Sequence, residues 1–201
     1  MSDEVSLHST IAYVREFCEQ LALLLRTADT LMLKHGYEPA AGNLAITETS
    51  GNLGLPNRWF PNEVFRFYTS EAEPRILAFV AALLDDRNRE YEGFTEPLLT
   101  AGGFLYAEPV GSLDNSKFWW ARWHGFMPDR RDDGTVLRAT TASAWPGEKY
   151  PFGDVLTFGV PLVHVQSSAV LGSKVIDPLV GALRTWNDTS RGAPSSPAPS
   201  S

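Results

Sequence analysis

The chain has 201 residues, 43% of them hydrophobic and 20% charged, which is enough apolar material for the core of a single domain. A net charge of −7 and a pI near 5.1 disfavour phosphate backbones and anionic lipid unless the basic residues gather in one patch. The single cysteine, Cys18, excludes an internal disulfide and points to a reducing, cytoplasmic setting.

The first residues, Met1-Ser2-Asp3-Glu4, are acidic with no apolar stretch behind them, so no signal peptide is expected. The longest unbroken apolar run, Ile76 to Leu84, falls far short of a bilayer span. A helix is predicted from about Ser6 to His35. Ile11, Val14, Cys18, Leu21, Leu25, Ala28, Met32 and His35 recur in alternating steps of three and four, and Phe17, Leu24 and Leu31 form a second row. A face this wide exceeds a coiled-coil seam and suits packing on a sheet. Any surplus would bury against a second copy or another protein. Gly36 is placed to cap the helix in the left-handed region, and Pro39 stops its continuation.

A Gly-, Asn- and Pro-rich loop follows from Pro39 to Pro61, with a short strand expected at Leu44 to Thr49. Val64 to Tyr68 and Ile76 to Leu84, joined by a polar connector from Thr69 to Pro74, predict a hairpin whose second strand is buried on both faces. Ile76, Phe79, Val80 and Leu83 also fall at helical spacing, but Pro74 and the aromatic strand before it favour the strand. Leu98 to Tyr106 is a further strand, in which Gly102-Gly103 would weaken pairing or mark a bulge.

Lys117 to Phe126 alternates most clearly, with Phe118, Trp120, Arg122, His124 and Phe126 on one face and Trp119, Ala121 and Trp123 on the other. The turn residues Asp132-Asp133-Gly134 lead to Val136 to Trp145, expected to pair back antiparallel. Val155 to Val165 reads as a strand that is an edge or is bulged at Pro161. Asp177-Pro178 reads as a helix start, with Leu179, Leu183 and Trp186 facing the core. The pattern predicts an α+β fold: five to seven mostly antiparallel strands covered by the long N-terminal helix, with a short C-terminal helix nearby. Residues 1–187 form one domain in this reading, and the Ser/Pro/Ala-rich 188–201 a disordered tail.

No run carries chemistry at diagnostic spacing. His8, His35, His124 and His164 are scattered, so no metal site and no cofactor are expected. Asp129, Asp132 and Asp133 lack the closing Glu of a calcium loop, and neither glycine pair matches a phosphate cradle. Cys18, on the apolar stripe, is expected to be a buried, inert thiol, and His35 a helix-end residue satisfied by carbonyls or the dipole. Asp85 and Asp86 follow the most buried strand, and with Glu48 they would form the acid/base or metal centre of a small hydrolase or nuclease if they converged.

The sharpest local feature is the aromatic-basic run holding Trp119, Trp120, Arg122, Trp123 and His124, suited to stacking a planar ligand or to packing in the core or against a partner. The acid balance makes single-stranded nucleic acid the lesser alternative there. The reading that follows is a non-enzymatic binding or regulatory module. It would take a protein partner or a small planar ligand, or assemble as a homo-oligomer through the N-terminal helix.

Overall fold

The helical period of the N-terminal segment is realised as α1 (Leu7–Leu33), a helix of 27 residues. Its end is closed as a Schellman motif: Gly36 adopts φ +83°, its N–H donates to the Leu33 carbonyl, and the Tyr37 N–H donates to the Met32 carbonyl. Tyr37, 1% exposed, then turns the chain into the sheet. The computed structural model describes residues 7–47, 49, 51–54, 60–84, 96–111, 137–140 and 152–192, with 137–140 and 188–192 as backbone. Among them, no helix is long and apolar enough to cross a membrane.

The strands are β1 (Glu38–Pro39), β2 (Ile46–Thr47), β3 (Glu63–Thr69), β4 (Ile76–Leu83), β5 (Leu98–Tyr106), β6 (Leu137–Thr140) and β7 (Phe152–Pro161). They form one seven-stranded sheet in the order β1-β3-β4-β5-β7-β6, with β2 also on β3, and every pairing is antiparallel. Ile76–Leu83 is therefore a strand, and all its residues are buried. A central strand covered on both faces needs no alternation, so its helical spacing carries no information. The expected partner strand Lys117 to Phe126 lies outside the described residues.

After β7, a 3₁₀ turn (Leu162–His164) leads into α2 (Ser168–Leu171), a π turn (Gly172–Ile176) and α3 (Asp177–Gly192). This corrects the helix start expected at Asp177. The N-cap is Ser167, whose hydroxyl accepts the Val170 N–H, and Asp177 is already helical. Pro178 cannot donate to the carbonyl four residues back, and its ring crowds that turn. The π turn widens the ladder there, with the Asp177 N–H donating to Gly172. Leu179, Leu183 and Trp186 are buried as expected, and the helix ends at Gly192, inside the segment read as a tail.

Two clusters sandwich the sheet. On the helix side, Leu21, Leu25, Ala28 and Met32 of α1 and Leu179, Leu183 and Trp186 of α3 cover Val64, Tyr68, Val80, Ala101 and Phe158. On the other side, Phe65, Phe67, Phe79, Phe104 and Phe152 form a row across β3, β4, β5 and β7, with successive centroids 5.4, 6.5, 5.4 and 4.8 Å apart. Five phenylalanines thus gather on the face turned away from α1, whereas Phe158 packs beneath the helices.

Gly102 and Gly103 carry no bulge; both pair in register on each side, and the irregularity lies at Leu105/Tyr106. They are glycines because the neighbours fill their side-chain space. A Cβ on Gly102 would meet the Leu156 carbonyl and stand 2.8 Å from the Phe79 ring, and one on Gly103 would stand 2.8 Å from Leu183. Pro161 is the last residue of β7, opposite Leu98 with no bulge there; among the described residues β6 pairs β7 only over Asp154–Thr157, so the strand is paired on one side alone at Pro161, as the edge reading expects. Gly102→Ala is expected to cost about 1–3 kcal/mol through overpacking. Gly153→Ala, whose new methyl meets nothing within 4 Å, should stay within about 0.5 kcal/mol of wild type. Urea midpoints of the two variants check this, and equal midpoints would refute the packing role of Gly102.

Candidate functional site

The site is set by where α1 is fastened. Asp29, one turn from the helix end, meets Arg66 on the helix-facing side of β3. Arg66 donates from Nε and Nη2 to the two carboxylate oxygens at 3.0 and 2.7 Å, and from Nη1 to the Leu44 carbonyl at 2.5 Å. The Tyr68 hydroxyl adds a bond to Asp29 Oδ1 at 3.0 Å. Arg66 is 5% exposed, so the bidentate pair is largely withdrawn from water and its donors are met by fixed acceptors. Burial, with the Asp29 carboxylate beside it, holds the Tyr68 hydroxyl far above the ordinary phenol range, and Arg66 opposes this only in part. Helix, sheet and the 40–45 loop are tied at one point.

From that point α1 runs back along the sheet, and burial stops at Leu21. Towards the N-terminus the helix passes the end of the sheet where β3 begins and β7 finishes, with Phe17 reaching Phe60 at 6.3 Å. Leu7 (77% exposed), Ile11 (44%), Val14 (43%) and Phe17 (38%) continue the buried stripe, with no strand beneath them among the described residues. The helix therefore covers the described strands with its C-terminal half and overhangs them with the other. Cys18 corrects the expectation of a buried thiol: it lies on this overhang and is exposed.

Beside the overhang lies a groove of about 350 Å³ between α1 and the segment after β7. Its apolar lining includes Phe17, Leu21, Leu23, Leu24, Leu162 and Leu171, and its rim holds Gln20, Thr27, Gln166, Ser167 and Ser168. No charged side chain is among the described lining residues. The far wall is held by one long-range backbone bond and two local ones. The Leu162 N–H donates to Pro97, Val165 closes the 3₁₀ turn on Leu162, and Ser167 caps α2. On its other flank the overhang carries His8, Arg15, Glu16 and Glu19.

The residues singled out from the sequence fall unevenly. Trp119, Trp120, Arg122, Trp123 and His124 lie outside the described residues, as do Glu48, Asp85 and Asp86. Thr47 pairs with Val64 and Val64 with Ala82, so the described neighbours of Glu48 and of Asp85 share one end of the sheet. Among the described residues, no three His, Cys, Asp or Glu side chains group to hold a metal ion. His35 is not met by carbonyls alone, since its Nε2 stands 3.7 Å from Asp177 Oδ1, where the π turn brings α3 beside the end of α1. Sequence reasoning missed Leu162, Val165 and Leu171, having assigned Val155 to Val165 to one strand. The Ser167-Ser168 pair before Val170-Leu171 was the available capping signal. The chain matches no family model, no curated protein and no solved structure.

Two outcomes test the fastening point. Asp29→Ala leaves the Arg66 charge buried and unpaired and is expected to cost about 3–5 kcal/mol. Asp29→Leu combined with Arg66→Met should recover much of that, as read from denaturant midpoints. The second concerns pH. The unfolded chain ionises Tyr68 from about pH 10, while the folded chain keeps the proton. Stability from this group is therefore complete below about pH 10 and falls above it by about 1.4 kcal/mol per pH unit. Tyr68→Phe should remove that increment of slope between about pH 10 and 11.5. Parallel slopes for the two proteins would refute the assignment.

Proposed function

We propose that the protein is a non-enzymatic binding module that recognises a protein partner through the overhanging half of α1 and the groove beside it. The observation that carries this reading is the continuity of the stripe. The residues that bury Leu21, Leu25, Ala28 and Met32 on the sheet recur as Leu7, Ile11, Val14 and Phe17, where no described strand lies beneath them. A helix inside a monomer's core has no use for apolar residues past the edge of that core, and a contiguous uncovered patch marks an interaction surface. The lone cysteine and acid balance support a cytoplasmic setting.

Magnitudes show how large the contact must be. Burying the exposed parts of four such side chains contributes roughly 3–6 kcal/mol, from 1.5–3 kcal/mol for each fully buried one. Micromolar binding needs about 8 kcal/mol after the costs of association. The overhang alone therefore falls short, and the groove has to take part.

The test is cross-linking in cells with the tagged full chain and its Ile11→Glu/Val14→Glu variant. At least one cross-linked species, a second copy of the chain counted among them, is expected to fall about tenfold, corresponding to about 1.4 kcal/mol. The melting curve should move little, because both residues are exposed. Species that persist equally in both proteins would sink the reading.

A further inference from the structure

We draw no further inference here: the strongest candidate, the apolar overhang of α1 from Leu7 to Phe17 with the groove between α1 and the segment after β7, belongs to the surface already described, and nothing in the structure shows what covers it.

Discussion

The buried pair between Asp29 and Arg66 decides how this molecule is put together. A helix laid on a sheet by apolar contact alone can slide by a turn at little cost, because one aliphatic row fits much like the next. A bidentate carboxylate–guanidinium contact does not slide, since any displacement strands two charges away from water. Arg66 also holds the Leu44 carbonyl, and Tyr68 holds the same carboxylate. The loop after α1 is thus fixed by the same group that fixes the helix. Such a network adds little net stability compared with apolar residues of the same shape, and its contribution is to specify one register.

Both faces of the sheet are buried, which explains its composition. β4 and β5 contribute alanines and glycines because large groups from other elements occupy their space. The Phe79 ring lies over Gly102 and the Leu183 side chain over Gly103. The aromatic row on one face and the aliphatic layer beneath α1 and α3 on the other are therefore complementary to the same two residues. Local propensity, which reads a glycine pair as a weak place in a strand, points the wrong way here because the constraint comes from distant residues.

That contrast describes what could be read in advance. α1, the β3–β4 hairpin and β5 were legible because a long apolar period, a continuous apolar run and a polar connector are local signals. The Gly36 cap was legible for the same reason. The partner of Arg66 was not, since Asp29 lies thirty-seven positions away and nothing near either residue names the other. Asp177-Pro178 misled because its capping chemistry is real in isolation, yet Ser167 opens the helix earlier and the π turn carries it past the proline. The width of the α1 stripe signalled surplus apolar surface correctly. Periodicity reports that a face is apolar and cannot report which half of it the sheet covers, so Cys18 was assigned to the wrong half. The aromatic run and the carboxylates favoured as sites fall outside the described residues, and the groove now proposed depends on residues brought together by the chain reversal after β7.

The overhang also has a stability of its own kind. An isolated helix of about half of α1's 27 residues is marginal in water, because nucleation is costly and short helices repay it poorly. Ile11, Tyr13, Val14, Phe17 and Cys18 are only middling helix formers, so propensity does not compensate. What sustains the overhang is that the buried half has already paid for nucleation; each further residue needs only propagation from Leu21 towards Leu7. The clamp at Asp29 thus supports the free end as well as the packed one. Opening should be easiest at Leu7 and hardest near Met32, with the apolar ridge lying at the soft end of a rigidly anchored element. A surface built this way is ordered enough to present side chains at helical spacing and loose enough to adjust its outer turns.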